Sequence, residues 1–140
     1  MVLFTHMAKI HAGISELKAS HLRLRAVATT NQGPPAHLLL FYAAECGLRY
    51  VQLRRSSLRN TERLGELDHD LVGLIKTLNL PLSALGELPS LRFSRRRGES
   101  CSPSDAHSAW RYGVRIDADD EAKFLTWLQR ICDVVVKEYL

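Results

Sequence analysis

The chain has few of the features that mark membrane, secreted or metal-stapled proteins. No stretch approaches the roughly 18–20 consecutive apolar residues of a bilayer span. Met1-Val2-Leu3-Phe4-Thr5-His6-Met7 is not a charged leader followed by a long apolar run, so no signal peptide and a cytoplasmic location are expected. There are only three cysteines, Cys46, Cys101 and Cys132, with no Cys-x-x-Cys pair. An odd count without a secretory signal argues against a disulfide framework. Cys46 and Cys132 fall in apolar helical patterns and read as buried thiols, whereas Cys101 sits in a polar loop. The six histidines are scattered and no two are four residues apart, so no metal site is expected. Phosphate-cradling Gly loops, a Gly-x-Ser-x-Gly elbow and His-Glu-x-x-His are all missing, and no cofactor is expected.

What is present is enough for one globular domain. The 140 residues are 46% hydrophobic and 24% charged. The net charge of +4 is local: Arg92, Arg95, Arg96 and Arg97 carry four charges with no acid among them, and the rest of the chain is formally neutral. A solvated charge run and a phosphate-contacting patch both fit. The use of Arg to the exclusion of Lys in that stretch suits bidentate phosphate contact.

Periodicity predicts helices throughout. Ile14, Leu17, His21, Leu24 and Ala28 define a first helix over 14–28. After the Gly33-Pro34-Pro35 break, a second helix over 36–55 is apolar nearly all round and is expected at the centre of the bundle. Residues 56–68 read as irregular. A third helix over 69–79 carries Leu71, Leu74, Ile75 and Leu78, with Asp68 as N-cap and Asp70 in the first turn. Ser83 to Leu88 is expected to add at most a short turn. Residues 89–104 are expected to be a mobile basic loop. A short helix over 105–112 and a long one over 117–140 follow, the latter with Asp117, Asp119, Asp120 and Glu121 at its N-terminal end. No segment alternates at period two. The expected fold is all-α, an up-and-down bundle of four to five helices.

Chemistry-bearing residues sit on these helices. Glu45 and Arg49 are four apart, acid before base. His107 and Arg111 are also four apart, hence on one face, where an imidazole and a guanidinium can move a proton or hold a phosphate. For Trp110 a core role is preferred, and for Arg111 a salt bridge to an acid such as Glu45 is the alternative. Arg63 and His69 stand six positions apart, a pairing suited to metal-independent RNA cleavage, although a His at the start of a helix also needs no catalytic role. The acids at 117–121 are accounted for by capping.

Three stretches, in order, resemble the HEPN superfamily of small helical bundles. Phe41-Tyr42-Ala43-Ala44-Glu45-Cys46-Gly47-Leu48-Arg49 is similar to the family's long helix, with Arg49 where Lys is usual. Asp68-His69-Asp70-Leu71 resembles its Thr-His-Asp-Leu stretch, and Trp110-Arg111-Tyr112-Gly113 its Arg-Tyr-Pro element. The similarity spans roughly residues 36–140. It implies one of two functions. Many members are ribonucleases, often toxins or antiviral effectors, that place an Arg, four to six residues and a His on or near a late helix and pair two copies of the motif across a dimer. Others bind nucleotides or act as scaffold partners. The ribonuclease spacing is matched here only by Arg63 and His69, ahead of the third helix.

The expected function is therefore binding of nucleic acid or nucleotide, RNA in preference, as a homodimer or with a partner protein in a defence or toxin–antitoxin complex. Arg92, Arg95, Arg96, Arg97 and Arg111 would make the contacts. The alternative is RNA cleavage by Arg63/His69 or His107/Arg111. Glu45, Arg49, Asp70 and Tyr112 are expected to form a polar network that organises the helices.

Overall fold

The computed structural model describes residues 10–64 and 69–140. It is all-α apart from one small hairpin. Helix α1 (Ile14–Thr30) and helix α2 (Gly33–Ser56) are joined by Asn31 and Gln32 alone, and so fold back on each other. Pro34 and Pro35 occupy the first turn of α2, where a missing N–H leaves nothing unsatisfied. Its far end closes on Ser57 in the left-handed conformation (φ 54°). As its composition predicts, α2 is central: Phe41, Ala43, Ala44, Leu48, Val51 and Leu53 are fully buried, and it packs on α1 and on the later helices.

Helix α6 (Ala118–Tyr139) lies alongside α2 over its length. His37 faces Glu121 at one end, Gly47 lies against Val135 midway, and Arg54 reaches the Tyr139 carbonyl at the other. The two helices are thus parallel neighbours, not the antiparallel neighbours of a simple up-and-down bundle. The intervening chain makes this possible by carrying the backbone from the end of α2 back to its start. On the way it forms a 3-10 turn (Thr61–Leu64), α3 (Leu71–Leu78), α4 (Leu82–Leu85), the hairpin, and α5 (Ala106–Tyr112). Six helices are present among the described residues, where four to five are expected from the sequence; the addition is the single turn of α4.

Two segments differ from expectation. The third helix begins at Leu71, because Asp70 is its N-cap and accepts the Gly73 N–H (3.0 Å); Asp68 lies outside the described residues. Residues 89–104 are not an irregular loop. β1 (Leu91–Arg92) pairs antiparallel with β2 (Ser100–Cys101), and Phe93 bridges to Ile116. Leu91 is fully buried, the Asp117 N–H donates to the Arg92 carbonyl (2.7 Å), and the Ser94 N–H donates to that of Arg115 (3.0 Å). Strands of two residues carry no readable alternation, and what pins them lies some twenty positions later.

One closely packed point of the core is polar. His21 on α1 is fully buried, and its Nδ1–H donates to the Ala43 carbonyl at 2.7 Å. Its Nε2 has no hydrogen-bond partner among the described residues. Burial holds its pKa below the ordinary histidine value, and Arg25 adds to the effect against the Ala43 hydrogen bond. Only glycine fits opposite: a Cβ at Gly47 would lie 2.7 Å from His21 Nδ1 and 3.2 Å from Val135 Cγ2. In an open helix Gly→Ala gains about 1 kcal/mol. Here overpacking of about 1–3 kcal/mol offsets or outweighs that gain, so urea denaturation of Gly47→Ala is expected to show a net loss of up to about 2 kcal/mol. With His21→Ala present, the same change should stabilise; stabilisation in the parent would mean that the imidazole moves aside freely.

Candidate functional site

The three segments that resemble the HEPN family come together beside α2. Phe41, Tyr42 and Glu45 occupy one side of α2, the first as a fully buried floor. Facing them is the lead-in to α3, which turns at Asp70 (Leu71 N–H to the His69 carbonyl, 3.0 Å) and presents His69, and α5, which presents His107 and Arg111 one turn apart. Asp70 ties two of these elements together: besides capping α3 it accepts the Ser104 hydroxyl (3.2 Å), just ahead of α5.

The two imidazoles are the centre of the cluster. His69 Nδ1–H donates to Glu45 Oε2 at 2.6 Å, and its ring centroid is 4.2 Å from that of His107. His107 Nδ1–H donates to the Ser104 carbonyl at 2.7 Å. Each Nδ1 is thereby committed, which fixes each ring's orientation and, in the neutral form, its tautomer. The Nε2 of His107 lies 3.4 Å from the Ser108 hydroxyl. Burial pushes the His107 pKa below the ordinary value, with the nearby charge of His69 and then Arg111 adding to it. His107 is 8% exposed, whereas the His69 side chain is 40% exposed, so the pair spans from core to solvent. Phe41 lies 5.2 Å from the His107 ring and 6.2 Å from that of His69.

Arg111 is exposed at the rim, where it donates to the Tyr42 hydroxyl (2.5 Å), not to Glu45. Its guanidinium also lies 6.0 Å from the Tyr112 ring centroid. Trp110 points inward, 5% exposed, stacked on Phe124 and donating to Glu121 Oε2 (3.0 Å), so it is a packing residue. In the polar network, Glu45 and Asp70 join the cluster. Arg49 is buried farther along α2 and donates to Gln52 (3.0 Å). Tyr112 is 74% exposed and meets the cluster through Arg111 at its rim.

Arg63 is exposed on the 3-10 turn and makes no hydrogen bond or ion pair with His69 among the described residues. The ring partner of His69 is instead His107, thirty-eight positions away. Arg92 departs from its expected role as well. Its Nε and Nη2 donate to the Asp120 carboxylate at 2.9 and 3.1 Å, and Nη2 lies 3.4 Å from Asp117. This pairing raises the arginine's pKa and lowers that of Asp120. Arg92 therefore anchors the hairpin to α6, and its charge is offset by Asp120 and Asp117. Arg95, Arg96 and Arg97 are exposed at the hairpin tip, with Arg96 3.9 Å from Glu99. Sequence reasoning missed Tyr42 and Ser104. Tyr42 was within reach, since it stands three before Glu45 on the same helix face. Ser104 orients His107 through its backbone carbonyl, for which no side-chain type is diagnostic.

Among the described residues no group of three or more His, Cys, Asp and Glu is placed to hold a metal, and no helix is long and apolar enough to cross a membrane. The three thiols are free, and burial raises that of Cys46 to about 11 and that of Cys132 to about 12. The chain matches no family model, no curated protein and no solved structure.

Proposed function

We propose that this chain is a HEPN-like module that engages nucleic acid or nucleotide, RNA in preference, at the cluster of His69, His107 and Arg111, and that it works as a homodimer or as a subunit of a defence or toxin–antitoxin complex. The observation that carries this reading is convergence. Segments about 25 to 40 residues apart in sequence deliver two oriented imidazoles, a tyrosine hydroxyl and an exposed guanidinium to one half-open surface. That set suits a phosphodiester: Arg111 can pair with the phosphate and the imidazoles with its oxygens or with a ribose hydroxyl. It costs stability to keep such groups beside the core, and packing alone does not call for a second histidine.

Binding of labelled single-stranded RNA between roughly 50 and 200 mM salt tests the reading. The parent is expected to bind at low salt and weaken as salt rises, and Arg111→Ala with His69→Ala is expected to weaken it further. No binding at low salt, or unchanged binding by the double variant, would remove the cluster from consideration. A second reading, metal-independent RNA cleavage, is favoured by one specific feature. The two histidines have different orienting partners, a carboxylate and a backbone carbonyl, and different exposure. Such environments separate the behaviour of two like groups into a base and an acid.

A further inference from the structure

The rim of α5 continues past Arg111 into a second feature, which adjoins the cluster where Arg111 meets Tyr112. Tyr112 projects into solvent, 74% exposed. Beside it is a recess of about 250 Å³ lined by Phe93, Arg95, Arg96, Tyr112, Val114 and Arg115, with no acid among its lining residues. That volume is below the ~300–1,000 Å³ of sites that enclose a whole ligand, so it suits one planar group held at the surface. The recess has a fixed shape. Gly113, with φ +75°, ends α5 in a left-handed turn that the proline of the family's Arg-Tyr-Pro element cannot adopt. The Ser94 N–H bond to the Arg115 carbonyl then locks the hairpin against this turn.

Charge completes the description. Of the hairpin arginines, Arg92 is neutralised by Asp120 and Asp117, and Arg96 lies near Glu99. Arg95 and Arg115 are exposed and have no ion-pair partner among the described residues. An exposed aromatic face flanked by unneutralised guanidiniums combines the two elements by which proteins hold single strands, base stacking and phosphate contact. Tyr112 lies about 8 Å along the α5 axis from His107 and roughly 140° around it, with Arg111 between them, so a strand passing Arg111 must wrap the end of α5 to meet both.

We propose that this recess takes one unpaired base of single-stranded RNA on Tyr112, with the adjoining phosphates on Arg95 and Arg115, and that the strand runs on past Arg111 to the His69–His107 pair. This rests on the nucleic-acid reading of the cluster and adds to it a register and a preference for unpaired RNA.

Fluorescence anisotropy with a labelled oligouridine of about a dozen nucleotides, against an RNA duplex of the same length, tests it. Tyr112→Ala is expected to weaken oligouridine binding about 5- to 150-fold, the range for one stacked base, while Tyr112→Phe, which keeps the ring, binds as the parent does. Arg95→Ala is expected to reduce the salt slope by about 0.7. The exposure of Tyr112 means that these variants retain the fold, which circular dichroism verifies. Tyr112→Ala binding like the parent, or a duplex binding as tightly as the single strand, overturns the proposal. If Arg111→Ala with His69→Ala weakens binding but Tyr112→Ala does not, the cluster reading stands and the recess falls. If only Tyr112→Ala weakens it, the recess stands without the cluster. Absence of binding by the parent at low salt overturns both.

Discussion

Phe41→Ala is expected to destabilise the fold by about 3–5 kcal/mol, the range for emptying a core aromatic site, and to loosen the histidine pair in the same step. Phe41 has no exposed surface. Its ring lies 5.2 Å from His107, 6.2 Å from His69, 6.5 Å from Trp110 and 6.4 Å from Phe124, so it touches both the site and the aromatic core behind it. Truncation removes the surface against which both imidazoles rest. For a domain of this size the loss corresponds to a fall in melting temperature of roughly 10–20 °C. Water admitted to the cavity would also relieve the desolvation that depresses the His107 pKa. Its proton titration, followed by NMR, should therefore shift upward toward the ordinary histidine range. A melting temperature within a few degrees of the parent would show that the site can collapse around the missing ring. An unshifted His107 titration would show that burial by Phe41 is not what holds it down.

That double role explains what could be read from the sequence and what could not. The long helices were legible because each carries an apolar stripe or, in α2, apolar residues on nearly every face. Phe124, Leu128, Ile131 and Val135 are all fully buried as their spacing predicts. The cluster was half legible. Glu45, His69, His107 and Arg111 stood out as polar groups on helical segments, but only the tertiary fold could reveal that His69 pairs with Glu45 and His107. The Arg63 spacing was misleading, because a sequence interval says nothing about where an intervening turn sends the chain. Arg92 misled for a related reason. Four arginines in six residues look equivalent, yet the first stands on a strand whose register places it over Asp120, twenty-eight positions later, and pairs with that acid while the tip residues do not. The parallel pairing of α2 and α6 could not be inferred either, since helix direction depends on the path of the short elements between them.

Cleavage of single-stranded RNA in EDTA supplies the test with the largest consequence, because under the proposed cleavage reading the two histidines take different roles. On that reading His107, buried and held below its ordinary pKa, would act as the base: its Nε2 would take the proton of a ribose 2′-hydroxyl as that oxygen attacks the adjacent phosphorus. His69, more exposed and oriented by Glu45, would deliver a proton to the departing 5′-oxygen. The products would be a 2′,3′-cyclic phosphate and a free 5′-hydroxyl, with Arg111 stabilising the charge on the pentavalent phosphate. Removing one proton-transfer group typically costs about 10²–10⁴-fold in rate. His107→Ala and His69→Ala are each expected to fall in that range, whereas Arg63→Ala, exposed and unconnected to the pair, should leave the rate unchanged. Since the His107 pKa is lowered, its base form is already dominant at pH 6.5. The alkaline-rising limb of kcat/KM should therefore lie below pH 6.5, and acidification through that limb should switch cleavage off. Glu45→Gln, which keeps the size of the side chain but removes its charge, is expected to reduce the rate with less effect on binding. RNA left intact by the parent rejects cleavage while leaving the binding reading open. Cleavage that survives loss of both imidazoles would move the chemistry to a different part of the molecule.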